Sequence, residues 1–240
     1  MTNPLTRKLS NFVRLSEDER QALDVLISKP KLYADQTDIL SEGDPTSGVY
    51  FILAGWAFRY KIGEDGRRQI MSYFVPGDIC DQRIFVLKLM DHNIGTLTEV
   101  SVAKASKEAI IKLTDDFPNI ARAFWWSTLI DEAIAREWLM SVGRRNASQR
   151  VGHLICEMYV RLRSVGLVDG RSFEFPLTQA QLADTLGLSL VHFNRSLQRL
   201  RKLSLISWGR GPLTILDPEK LAKASLFNPS YLHLEGEAAR

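Results

Sequence analysis

Residues 178–202 read TQAQLADTLGLSLVHFNRSLQRLRK, and several of these side chains suit hydrogen bonding to base edges and phosphates. Arg195 carries a guanidinium that can pair with guanine O6 and N7, and Asn194 beside it can read adenine or bind phosphate. Val191 offers only apolar contact, for example to a thymine methyl. His192, Arg199, Arg201 and Lys202 suit phosphates, which give affinity without sequence information. Gln198 reads as a solvated side chain. Enzyme chemistry finds little support. The chain has no nucleophile elbow, HExxH, phosphate loop or GxGxxG. Its four histidines (His92, His153, His192, His233) show no ligand spacing, so neither a catalytic nor a metal site is expected.

These side chains need elements to hold them. Thr178 is a good N-cap. Gln179 to Leu186 then forms a short helix with Leu182, Ala183 and Leu186 inward. Gly187 stands where a left-handed helix end is needed, and Leu188 plugs the turn. Ser189 caps a second helix with the buried stripe Phe193, Leu197 and Leu200. This is a helix-turn-helix, whose second helix would lie in a major groove. Thr178, Gln179 and Ser189, at the two helix starts, complete the DNA-contacting set. Residues 205–216 read as a two-stranded hairpin, a wing with Arg210 at its tip. Arg144 to Thr214 holds eleven basic and four acidic residues, while Met1 to Asp115 holds 15 and 16. The asymmetry points to an anionic partner for the C-terminal half.

Upstream, residues 6–30 read as helical, with a capping-type start at Ser16-Glu-Asp-Glu. Residues 31–113 carry short β-rich runs, among them 49–53, 57–62, 69–74, 97–103 and 109–113. Turn signals separate them, the pattern of a compact all-β roll or barrel. Asp115-Asp-Phe-Pro118 reads as a helix start. Ile120 to Val142 has 15 apolar residues in 23 and no Gly or Pro, too apolar to bury one face of a monomer. A two-fold homodimer through Ile120, Phe124, Ser127, Ile130, Ile134 and Trp138 is the natural solution. Gly143-Arg-Arg-Asn-Ala147 is expected as a polar hinge, followed by a helix over 148–163. The tail after Ser230 is expected to be loosely held.

The two cysteines, Cys80 and Cys156, form no CxxC and indicate a reducing cytoplasm. The N-terminus lacks a signal-peptide core, and no apolar run approaches the roughly 20 residues of a membrane span.

The layout resembles the Crp/Fnr family of bacterial transcription regulators over nearly the whole chain. The signature residues are Gly43, then Val49-Tyr-Phe-Ile-Leu-Ala-Gly55, then Val75-Pro-Gly77-Asp, with the long helix, hinge and winged segment in the family's order. The resemblance implies an α+β chain with three parts. These are an N-terminal cyclic-nucleotide-binding-like jelly roll (1–115), a long dimerisation helix with hinge (116–143), and a winged helix-turn-helix domain (144–240). It further implies a homodimer on a palindromic double-stranded site, RNA polymerase as a partner, and activation. The effector pocket would then lie around Gly77, Gln82, Arg83, Ala135 and Arg136.

The departures matter. Members that bind cyclic AMP hold the ribose with Gly-Glu and the phosphate with Arg-Ser. Here the first region has Asp81-Gln82 and the second, His92-Asn-Ile-Gly-Thr, has no arginine. Losing that charge-assisted contact argues against cyclic AMP. Two cysteines cannot supply the four ligands of an iron–sulfur cluster. His92 reads as a polar loop residue rather than a haem ligand, and Cys80 as a buried strand cysteine with a redox-sensitive thiol as the alternative. The effector is left unnamed. Val191 stands where the family usually has a glutamate, so the DNA site should differ at that base pair. The alternative reading is a ligand-binding regulatory module acting through a protein partner. In either, packing along 120–142 would set the spacing of the two recognition helices.

Overall fold

The computed structural model describes residues 3–80, 82, 88–209 and 211–234. Two short helices open the chain, α1 (Pro4–Leu9) and α2 (Glu17–Leu26). At α2, Ser16 and Glu19 close the expected capping box, satisfying two otherwise unpaired donors. Leu5, Leu9 and Leu23 are buried against the side of the roll.

The roll consists of β1 (Lys31–Tyr33), β2 (Asp38–Leu40), β3 (Val49–Ala54), β4 (Ala57–Ile62), β5 (Arg68–Phe74), β6 (Asn93–Thr96) and β7 (Val100–Ala105). They form two antiparallel sheets, ordered β1–β7–β3 and β2–β6–β4–β5. Between β3 and β4 the chain turns at Gly55, φ +79°, where a Cβ would stand 2.1 Å from the Glu99 carbonyl oxygen. Only glycine fits there.

Two sequence expectations change here. Residues 109–113, read as β-rich, lie in α3 (Lys107–Asp116). Ser106 caps it, and Ile110 and Leu113 face inward one turn apart. A short apolar run cannot separate strand from helix by periodicity alone. His92, read as a polar loop residue, is buried beside β6; its Nε2 accepts from Arg59 Nε at 3.0 Å, so an internal donor replaces solvent.

Helix α4 (Pro118–Arg144) runs 27 residues, about 40 Å at 1.5 Å per residue. Its inner face carries Ile120, Phe124, Ser127, Ile130 and Ile134, all buried in the single chain. Phe124 meets Phe51 of the roll, and Trp126 stacks on Phe12. The expected partner-facing set is therefore corrected. Those five residues are already covered within their own chain, by α1, α3, the closing turn (Pro229–Leu232) and the roll, and Trp138 is half-buried against Tyr73. The outward face instead carries Trp125, Leu129, Glu132, Arg136 and Leu139, at steps of four, three, four and three residues. Trp125 and Leu139 are 68% and 75% exposed. Both faces are rich in apolar residues, so composition alone did not separate them.

Gly143 is still helical, and the bend falls two residues later, at Arg145, which is extended (ψ 144°) and lies within the expected hinge. Asn146 and Gln149 then form a capping box opening α5 (Ala147–Ser164). Next come β8 (Ser172–Phe173), α6 (Gln179–Leu186), α7 (Leu190–Lys202), β9 (Ile206–Ser207), β10 (Leu213–Ile215) and α8 (Pro218–Ala224). The wing is a three-stranded sheet ordered β8–β10–β9. A 3-10 turn, Pro229–Leu232, closes the described chain. The tail is not loose up to there. Leu232 is buried, and Tyr231 Oη donates to Glu157 Oε2 at 2.8 Å. One core cluster runs from Trp56, Ile70 and Tyr73 of the roll into Phe175, Leu182, Phe193 and Leu197. The C-terminal unit thus sits on its own roll.

Candidate nucleic-acid interface

The helix-turn-helix is set up by local rules. Thr178 Oγ1 accepts from Gln181 N (3.2 Å), and Gln181 Oε1 accepts from Thr178 N (2.8 Å). Gly187 ends α6 in the left-handed region, φ 61° and ψ 40°, where other residues are strained. Leu188 N then donates to Ala183 O at 3.0 Å. Ser189 Oγ accepts from His192 N at 3.3 Å and opens α7.

On α7, Phe193, Ser196, Leu197 and Leu200 are buried. The opposite face carries Val191 (63% exposed), His192, Arg195, Gln198, Arg199 and Lys202, with Asn194 half-buried at its edge. Val191, Asn194, Arg195, Gln198, Arg199 and Lys202 line one groove. Thr178, Gln179 and Ser189 are exposed at the helix starts, where backbone N–H groups favour phosphates. Arg210 lies outside the described residues.

Several cations of this half face inward. Arg201 donates to the Trp208 carbonyl of the wing, so it braces α7 rather than reaching for phosphate. Arg150 binds the carbonyls of Val142 (2.6 Å), Arg145 (2.9 Å) and Leu186 (3.0 Å). Arg145 and Arg161 sit in ion pairs. The excess positive charge is therefore shared between an outer face and an internal frame.

The expected effector-pocket residues scatter. Gly77 (φ +95°) packs under α1, where a Cβ would lie 2.7 Å from Pro4 O. Arg136 is on the outer face, 2.6 Å from Glu132. Arg83 lies outside the described residues. Gln82 and Ala135 do line space between roll and α4. Two cavities there, of about 260 and 720 Å³, share Arg59, Asp131 and Ala135. His92 and Arg161 line the smaller, and Cys80, Gln82 and Glu132 the larger. Sequence reading missed Arg59 and Asp131. Arg59 Nη2 donates to the Cys80 carbonyl at 2.7 Å, and its guanidinium covers the Phe74 ring. Burial raises the Asp131 carboxyl above its ordinary range, with Lys8, Arg59 and Arg161 opposing. Among the described residues no cluster of three metal-ligating side chains forms, and no helix is long and apolar enough to cross a membrane.

Two family models match separate parts of the chain. Residues 30–117 match the model of a cyclic nucleotide-binding domain, and residues 149–224 that of a Crp-like helix-turn-helix domain. The chain is similar to the nitrogen fixation regulation protein FixK of Bradyrhizobium diazoefficiens, at 26% identity over 76% of each chain. It is also similar to the transcriptional activator protein FnrL of Cereibacter sphaeroides, 24% identical over 81% of this chain and 78% of that one. The solved structure of FixK2 from Bradyrhizobium japonicum superposes with a TM-score of 0.72 at 23% identity. It covers 81% of this chain and 96% of that one.

Proposed function

The chain belongs to the Crp/Fnr family of DNA-binding transcription regulators rather than to any class of enzyme, and from that premise we propose that it is a dimeric, cytoplasmic activator that reads a palindromic site through α7. The observation that carries this reading is the free face of α7. Val191, Arg195 and Arg199 point away from the chain's own core on a helix whose start, turn and buried side are all complete. Relatives named as activators support activation, for which we propose RNA polymerase as the contact.

Dimerisation through the outer face of α4 is supported by its spacing. Steps of four and three residues give a straight seam along a helix, from Trp125 to Leu139. Burying those side chains against a second copy removes apolar area worth about 25 cal/mol per Å².

A cyclic nucleotide fits the cavity beside α4 poorly. The cyclic phosphate is an anion, and Asp131 lines the space, while Arg59 already serves His92 and the Cys80 carbonyl. We therefore propose no response to cyclic AMP. An iron–sulfur cluster lacks ligands: both cysteines are buried, and burial pushes the Cys156 thiol up to about 12. Haem finds His92 already engaged by Arg59.

The test is site selection from a random duplex library. The wild type should enrich a two-fold symmetric sequence, with half-sites about one helical turn apart, and be indifferent to added cyclic AMP. Arg195→Ala should relax the preference at one base pair in each half. Enrichment of no sequence would move the C-terminal unit to the alternative, a module that docks on a protein.

A further inference from the structure

We propose that Glu157 and Arg161 are positioning residues for DNA binding: they hold the recognition helix at one angle to the roll and so fix the half-site spacing the dimer accepts. The inference rests on the reading of the chain as a dimeric DNA-binding regulator.

Glu157 sits on α5 with no exposed surface. Donors converge on it from separate parts of the chain. Trp138 Nε1 of α4 reaches Oε2 at 2.9 Å, and Tyr231 Oη of the final turn reaches the same oxygen at 2.8 Å. Arg161 Nη1, one turn along α5, lies 3.3 Å from Oε1. The Nη2 of Arg161 crosses to the roll, donating to Asp78 Oδ2 (2.7 Å) and the Tyr73 carbonyl (2.8 Å). Asp78 also accepts from Lys8 Nζ (2.6 Å) and Val75 N (2.7 Å). A hydrogen-bonded path therefore joins the final turn, α4, α5, the roll and α1.

A second attachment lies on α6. Arg68 Nη2 pairs with Asp184 at 3.0 Å, Gln69 Nε2 donates to the Thr185 carbonyl at 3.3 Å, and Tyr73 Oη meets Thr185 Oγ1. One attachment leaves a swivel, whereas two fix the rotation. Helices α5 and α7 share a core through Leu154, Met158, Phe193 and Leu197, so a tilt of α5 is carried into α7.

The chemistry of the joint explains its use. Buried ion pairs add little net stability, and apolar replacements of the same shape are often as good. What the ionic joint supplies is direction. Hydrogen bonds weaken steeply off-angle, while an apolar face can slide. Inserting one base pair moves a half-site by about 3.4 Å and turns it by about 35°. A joint with one allowed angle must therefore discriminate spacing. Neither Glu157 nor Arg161 lies on α7; both act through α5.

The experiment uses the full chain and its selected palindrome. Affinity is compared with the same half-sites one base pair closer or farther, and with a single half-site. Wild type should favour its own spacing by about tenfold or more, since each tenfold is only about 1.4 kcal/mol. Glu157→Gln and Tyr231→Phe remove one charge and one donor while keeping shape. Both should cut that ratio to about threefold or less, leaving single half-site affinity unchanged. A quadruple variant, Lys8→Met, Asp78→Asn, Glu157→Gln and Arg161→Met, removes all four charges of the joint together and should behave likewise while still folded. An unchanged spacing ratio in Glu157→Gln and Tyr231→Phe overturns the proposal. So does a loss of half-site affinity with the ratio intact, which marks a merely structural role. A wild type that binds no duplex sequence-specifically removes the DNA reading itself, before any variant is made.

Discussion

Arg195 and Arg199 stand on the open face of α7, and among the described residues neither has an acceptor in its own chain. Arg161, with a side chain 10% exposed, has three acceptors: Glu157, Asp78 and the Tyr73 carbonyl. The contrast shows what burial asks of one residue type. An exposed guanidinium costs little to leave in water and stays available to a partner. A buried one has to find its acceptors within the fold. Changes on α7 should therefore alter binding without stability, and changes in the joint should alter stability first.

The largest test lies in the joint. Asp78→Ala leaves Arg161 and Lys8 facing each other without their shared carboxylate. Burial alone would raise the Asp78 carboxyl, but the two cations outweigh it and hold it below its usual range. The variant should lose about 3–5 kcal/mol in denaturant unfolding. A loss under about 1 kcal/mol would erase the distinction between the two regions. Next in size is Arg195→Ala, which should cost about 1–3 kcal/mol of affinity for each half of the cognate site. Its unfolding free energy should move by no more than about 0.5 kcal/mol, as calorimetry and fluorescence anisotropy can check together.

The third prediction concerns pH. His153 is buried at the α4–α5 bend, 3.3 Å from Glu137 and stacked on Tyr231. Burial, helped by Arg145, pushes its pKa down to about 4. An unfolded histidine takes up its proton near pH 6.5 and the folded one does not. Stability should therefore fall as pH drops from 6.5 to about 4, by up to about 1.4 kcal/mol per pH unit. Glu157 and Asp131, whose carboxyls burial raises, act with the opposite sign. The measurement is thus wild type against His153→Gln, whose acid limb should be flatter. The smallest effect belongs to Arg199→Ala, which should lower the slope of log affinity against log salt by about 0.9 for each half-site. Its effect should be the same on every sequence; an altered base preference would move Arg199 from phosphate to base readout.

The same contrast decides what could be read in advance. The helix-turn-helix rests on neighbours in sequence. Thr178 with Gln181, Gly187, and Ser189 with His192 each settle a turn within four residues, so α6 and α7 were legible to their ends. The joint is not local. Asp78 and Arg161 are 83 residues apart, and Glu157–Arg161 alone has the spacing of an ordinary surface pair. The net charge of residues 144–214 hid a division, since Arg145, Arg150, Arg161 and Arg201 serve the frame. On α4, two apolar faces share one helix, and which one meets the roll depends on Phe51 and Phe12, far away in sequence.

The closing turn, Pro229–Leu232, has a bearing on how the molecule is made. Tyr231 and Leu232 leave the ribosome after Glu157 and after α1, α3, α4 and the roll, so the parts they tie together are by then already synthesised. The roll and the helix-turn-helix can each collapse during translation, because their contacts lie earlier in the chain. The α4–α5 bend acquires its last ties only when Tyr231 reaches Glu157. The tie from Tyr231 is thus made only after the parts it joins have been synthesised.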